Sequence, residues 1–516
     1  MPVSVLCFRG LEGRSWHLSA LLVLEEGSDP APLVLSEPHP DVLPVHLGGR
    51  LGRGAWRYDF EVALGEAERT VGYGVGEIRW RIHLPGLGGP LRIAFTACNG
   101  SERERTGESE PGRNALWAQL HEEHERRPFH LLLHGGDQLY ADSVFEEVPG
   151  LRAWRRLRAM QRLKAPFTDA LAVEIADYYF RRYVWLWEQA ELVPTLPSVP
   201  SLMMWDDHDI FDNFGSHDPE WQACPVFKGI YAIAREQFCL FQLAARPDAL
   251  PGSGFADPRG GHFGWSHRIV PGIGVVAPDL RSARSVERIM DEAGRRALAA
   301  MLDGLADCRH VLLLSTVPLL NAHEHWFERF YEAIPGHQNF QLDIRDQWRS
   351  LRHRDEWLDL LHHLFDFIER TSARLTALSG EIHLGGLARA TRHGRAIWQL
   401  TSSGIVHPPP PSWLVRLLDW ASTGPAEEIE PGLKLDLLEI PGLGARFLGR
   451  RNWMALELSA ARHRIDATWH TECASFHLRS ESEEVPSLPR ARRIVRSRPR
   501  DGRLRGWARR TRKGRG

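Results

Sequence analysis

Four short apolar runs in this chain each stop abruptly on polar residues, and this repetition constrains the fold more than any other feature. Residues 91–97 run into Cys98 and Asn99, and residues 130–133 into His134-Gly135-Gly136-Asp137. Residues 201–205 lead to Asp206-Asp207-His208-Asp209, and residues 374–379 to Gly380-Glu381-Ile382-His383. Runs of this length read as buried strands. Between them lie helical patterns at 114–126, across 151–193 and around 357–368, the last with apolar residues at 357, 360, 361, 364, 365 and 368. The stripe Tyr179, Tyr183, Trp187 reads as core packing. Alternating strands and helices predict an α/β fold. Ligands of such sheets bind beyond the carboxyl ends of the strands, so the four polar endings can converge on one site.

The flanks read differently. Residues 1–88 show short strands and turns, predicting an N-terminal β-rich domain with 84–90 as its exit linker. A second domain is expected over 89–480, with β patterning again at 452–458 and 463–470. Residues 481–516 are polar and rich in Pro and Arg, and are expected to be a disordered basic tail. The formal charge of −2 hides this asymmetry: from 490 to 516 there are 13 basic residues and one acid. No run approaches the roughly 18 apolar residues of a membrane span. The start of the chain lacks the pattern of a secretory leader. The six cysteines, at 7, 98, 224, 239, 308 and 473, form no disulfide framework, and a cytoplasmic location is expected. Only four of the 64 basic residues are lysines, so abundant arginine by itself says nothing about phosphate binding.

The strand ends and the residues just after them offer a thiol (Cys98), a phenol (Tyr140), carboxylates (Asp137, Asp142, Asp206, Asp207, Asp209, Glu381) and imidazoles (His208, His383). That mixture suits a multi-metal site better than an isolated acid–base pair. Each member also has a plain structural reading. A strand-end cysteine can be a small core residue, Gly-Asp-Gln a turn, the acidic run a helix cap, and His383 a core histidine.

Taken in order, the motifs Phe95-Thr-Ala-Cys-Asn99, His134-Gly-Gly-Asp-Gln-Leu-Tyr-Ala-Asp142, Trp205-Asp-Asp-His-Asp209 with Asn213, Asp279-Leu-Arg-Ser-Ala-Arg284 and Ser379-Gly-Glu-Ile-His383 resemble the alkaline phosphatase D (PhoD-like) family. That family lies within the calcineurin-like metallophosphoesterases. The resemblance spans roughly residues 90–480. It implies a calcineurin-like β-sandwich flanked by helices, here with the small N-terminal β-domain. It also implies a phosphomonoesterase or phosphodiesterase acting on a small phosphate ester through a metal-bound hydroxide. Cys98, Asp137, Tyr140 and His383 match positions that hold a ferric ion. Asp207 and Glu381 match those for calcium or another divalent cation such as Mn or Zn, with Asp137 bridging. Glu381 departs from the family's usual aspartate. His208 takes the place of the catalytic histidine, with Asp209 expected to orient it, and Arg281 and Arg284 are expected at the phosphate.

The basic tail supports a different reading, a non-catalytic scaffold binding nucleic acid or a protein partner, or an arm contacting an anionic surface. The segment from His323 through Tyr331 is open between a lid and an ordinary loop. His407 reads as loop decoration, and the cysteines other than Cys98 as reduced core residues.

Overall fold

The computed structural model describes residues 2–28, 30–250, 254–257, 261–321, 347–380, 382–459 and 464–479. The first apolar run forms the strand Leu91–Thr96, buried at every position, and pairs in parallel with Leu131–Gly135. Ser201–Met204 and then Val3–Glu12 continue the parallel set. These four form the centre of a ten-stranded sheet. Antiparallel Asn452–Ser459, Arg464–Thr471 and Ser475–Arg479 extend one side, and Ser15–Glu25, Arg53–Ala63 and Val45–Arg50 the other.

A nine-stranded sheet repeats the scheme. Ile273–Ala277, His310–Leu314, Arg374–Ser379 and Arg395–Thr401 are parallel at its centre, with antiparallel strands on both flanks. The two sheets share one core. Val5, Phe95 and Leu132 from the first pack in one cluster with Leu312, Leu314 and Leu378 from the second. The intervening residues Val311, Leu313, Leu375 and Ala377 point the other way, into a second cluster with the helices Glu292–Gly304 and Arg354–Thr371. Period-two alternation therefore divides each strand between two apolar layers, which is why the runs are apolar throughout.

Three fully buried tryptophans cross between the sheets, each donating its indole N–H to a carbonyl on the other sheet. Trp16 reaches Ile269 O at 2.7 Å, Trp265 reaches Met203 O at 3.0 Å, and Trp469 reaches Thr401 O at 2.9 Å. Each bond satisfies a polar group that would otherwise be costly to bury.

The expected helices are present, and the apolar positions 357, 360, 361, 364, 365 and 368 are all buried, as are Tyr179, Tyr183 and Trp187. The 151–193 zone differs from expectation, because it is broken into Pro149–Arg155, Ala159–Lys164 and Asp169–Trp187. Pro166 offers no N–H to continue a helix, and Thr168 caps the next one by accepting from Leu171 N–H.

Residues 1–88 are β-rich, but several of their strands belong to the large sheet, with Cys7 in parallel register with Ser201. Only Leu33–Leu35, Arg69–Val75 and Ile78–Leu84 form a separate small sheet. Alternation shows that a segment is β but not which sheet it joins. Five cysteines are buried, whereas Cys473 is exposed rather than a core residue. Among the described residues no helix is long and apolar enough to cross a membrane. The expected tail 481–516 and the 323–331 segment lie outside the described residues.

Candidate metal centre

Three of the four polar strand ends turn through left-handed backbone. Cys98 has φ 50°, Asp137 φ 55° and His383 φ 53°. The turns are stitched together by their own amides: Cys98 N–H donates to Gly136 O at 3.2 Å, Asn99 N–H to Asp137 O at 2.8 Å, and His407 N–H to Cys98 O at 3.2 Å. Glycine permits the closeness. A Cβ on Gly380 would lie 2.3 Å from the Ala97 Cβ, and one on Gly135 2.5 Å from the Phe95 ring.

The side chains form two adjoining groups. In the first, Asp137, Asp207 and His208 place ligand atoms within 4.8 Å of one another, and Cys98 Sγ lies 3.6 Å from Asp137 Oδ2. In the second, Glu102, His383 and His407 do the same. Four rings run between the groups as a stack. Tyr140 lies 4.2 Å from His208 and 5.6 Å from His407, and His407 lies 3.5 Å from His383.

The electrostatics are those of crowded, dry carboxylates. Burial pushes the Asp137 carboxyl well above its usual range; His208 opposes this, and Asp207, Asp206 and Asp209 add to it. Burial alone would lower His208, but Asp142, Asp207 and Asp137 hold it cationic well above the ordinary range. Burial would raise Asp207, yet Arg281 and His208 hold it at about 2, while Asp206 is pushed by burial to about 6. Burial, then His407, keeps His383 well below the normal imidazole value. The Tyr140 hydroxyl is raised by burial and by the charge of Cys98 and Asp137.

Two buried atoms decide whether this donor set fits a metal. Tyr140 Oη and His383 Nδ1 have no hydrogen-bond partner among the described residues. Orphaned buried polar atoms are rare because each forfeits its hydration. A phenol oxygen and an imidazole nitrogen left open beside a carboxylate cluster are what a cation satisfies, so the residues fit.

Of the expected site residues, the structure brings Cys98, Asp137, Tyr140, Asp207, His208 and His383 to the joined strand ends. Glu381 lies outside the described residues. Two expectations are corrected. Asp209 does not orient His208: it accepts from Leu139 N–H at 2.9 Å, Asp206 N–H at 3.0 Å and Gln242 at 2.7 Å. Asp142 holds His208 Nδ1 instead, at 3.0 and 3.1 Å. Nor does Arg281 stand open to a phosphate. It is fully buried as the counter-ion of Asp206, at 2.6 Å, and of Asp207, at 3.5 Å. Arg284, also buried, acts on those two carboxylates in the same sense. The sequence reading missed Glu102 and set His407 aside. Their Oε1 and Nε2 meet at 2.9 Å, and each lies just past a strand end, at Asn99-Gly-Ser-Glu102 and Ser403-Gly-Ile-Val-His407.

Residues 92–338, which hold most of these groups, match the family described as PhoD related phosphatase. Just under half of the chain thus resembles that family. The chain is 22% identical over 495 residues to the uncharacterized protein YGR266W of Saccharomyces cerevisiae, covering 77% of this chain and 70% of that one. Its fold is shared with the solved structure of PhoD at a TM-score of 0.56 and 12% identity, over 92% of this chain and 88% of that chain. The shared fold thus covers much more of the chain than the matched segment does.

Proposed function

We propose that this PhoD-like chain is a phosphatase-type hydrolase that uses metal ions to cleave phosphate mono- or diesters. The observation that carries the proposal is the pair of unpartnered buried atoms, Tyr140 Oη and His383 Nδ1, at the two adjoining groups Asp137, Asp207, His208 and Glu102, His383, His407. The family match supports the reaction class. Cys98, Asp137, Tyr140 and His383 would hold a ferric ion, for which thiolate and phenolate are apt donors. Asp137, Asp207 and Glu381 would hold calcium or another divalent cation, Mn or Zn. When bound, these ions offset charge gathering on the phosphoryl oxygens and acidify a coordinated water.

The chain's own groups do the rest. Asp142 fixes the His208 ring and favours a proton on Nδ1. Asp142, Asp207 and Asp137 together keep that ring cationic, so it can donate to the leaving oxygen. Arg281 balances Asp206 and Asp207, which keeps Asp207 ionised and available as a ligand. Scattered cysteines that form no disulfide suit a reducing compartment such as the cytoplasm.

The test is elemental analysis of the purified protein for iron and calcium, together with turnover of a generic monoester and diester. Metal content and hydrolysis should both fall in Asp137→Asn and in His383→Ala. Undiminished turnover in the two variants would sink the proposal.

A further inference from the structure

Four consecutive prolines, 408–411, join His407 to the helix Ser412–Ala421. The inner face of this helix is anchored. Leu414 is buried, Val415 and Leu418 pack with Leu384 and Phe447, and Asp419 Oδ1 accepts from Arg446 N–H at 2.6 Å. Among the described residues, nothing covers the outer face. Trp413 is 60% exposed and Trp420 71% exposed. At helical spacing, Trp413, Leu417 and Trp420 fall within about 60° of arc, with exposed Arg416 on their flank. This is a strip of two indoles and a leucine, edged by a cation.

Its size argues against a stable protein partner. One face of a ten-residue helix falls far short of the roughly 1,200 Å² that specific protein interfaces bury. A bilayer makes no such demand. Indoles favour the headgroup layer, where the ring is half apolar and its N–H stays wet. The chain also carries 13 basic residues against one acid from 490 to 516, a charge that an anionic leaflet attracts. Stable attachment to a membrane surface usually takes two such signals, neither sufficient alone.

We propose that the Ser412–Ala421 helix docks this protein on an anionic lipid bilayer, with Trp413 and Trp420 in the headgroup layer and the basic 490–516 segment adding electrostatic attraction. The four prolines span only about 12 Å as an extended polyproline helix, so docking holds the His407 end of the site close to the lipid surface. The proposal does not depend on hydrolysis, because binding is measured without turnover.

The experiment is co-sedimentation of the full chain with vesicles of phosphatidylcholine alone or with about one third phosphatidylserine. The protein should partition onto the mixed vesicles and weaken between about 0.1 and 0.5 M salt. Trp413→Ala/Trp420→Ala should bind about tenfold less at an unchanged thermal midpoint, since both side chains are largely exposed. Wild-type affinity in the double variant would overturn the proposal, as would equal binding to both vesicle types. A wild-type dimer that ignores vesicles and dissociates in the double variant would also overturn it, in favour of a second copy as the covering surface.

Discussion

Substituting Gly100 by alanine tests the placement of Tyr140 with a single methyl group. An added Cβ would lie 2.7 Å from Tyr140 Cδ2, 2.9 Å from Cγ and 3.0 Å from Cβ. Ordinary carbon contacts begin near 3.5 Å, so the ring must retreat by roughly 0.8 Å. Rotation of the ring gives little relief, because the Tyr140 Cβ is itself among the close atoms. The ring's freedom to move is also limited by the His208 ring, which stacks on it at 4.2 Å and is held by Asp142. Gly100 is not among the glycines with left-handed φ, so alanine adds no backbone penalty and the effect is purely steric. Overpacking of this kind costs about 1–3 kcal/mol. A displacement approaching 1 Å at a reacting centre costs on the order of 100-fold in rate. The assay is steady-state ester hydrolysis alongside thermal unfolding and bound-iron analysis. We expect a folded protein with turnover down by one to two orders of magnitude. Turnover within twofold of wild type at normal iron content would refute the idea that Tyr140 must occupy this place.

Other outcomes follow from particular contacts. Asp142→Asn should lower turnover by about 10²-fold or more with little change in melting, because it uncouples His208; Asp209→Ala should mainly lower the melting temperature by stranding the Leu139 and Asp206 amides. Removing Arg281 as Arg281→Met should cost about 3–5 kcal/mol in urea unfolding, since the buried Asp206 and Asp207 lose the guanidinium that pairs with them directly; a loss below 1 kcal/mol would contradict this. His124 and His130 are buried, and each accepts a backbone N–H at Nδ1, from Phe129 and Arg92 respectively, at 3.0 Å. Burial lowers both to about 3. A depressed histidine stabilises fully above the unfolded value near 6.5, and that stability drains away as pH falls toward 3. Between pH 7.5 and 5.0 each should cost roughly 2 kcal/mol, read as a shift of the urea midpoint, and His124→Asn/His130→Asn should flatten that slope.

Much of the site was readable because its donors sit directly after strands. A continuous apolar run marks a buried strand, and the next two to four residues then emerge beyond its carboxyl end, as Cys98, Asp207 and His383 do. Direction was not readable. Asp209 adjoins His208 in the chain, but its carboxylate turns back to cap amides, and the imidazole partner arrives from the loop after another strand. The arginines were obscured differently. In so arginine-rich a chain nothing separates a buried counter-ion such as Arg281 from a ligand for an anion, because burial is a property of the packed sheets. Glu102 and His407 meet only when two distant loops fold together, and no local pattern records that encounter.

The left-handed turns at Cys98, Asp137 and His383 carry a consequence for how such a chain can change. Each non-glycine residue there is roughly 1–2 kcal/mol less comfortable than glycine. Random drift toward greater stability would therefore erode the donors first, replacing thiol, carboxylate and imidazole by hydrogen. A descendant that gave up its chemistry should show glycine at these three places before it lost its core.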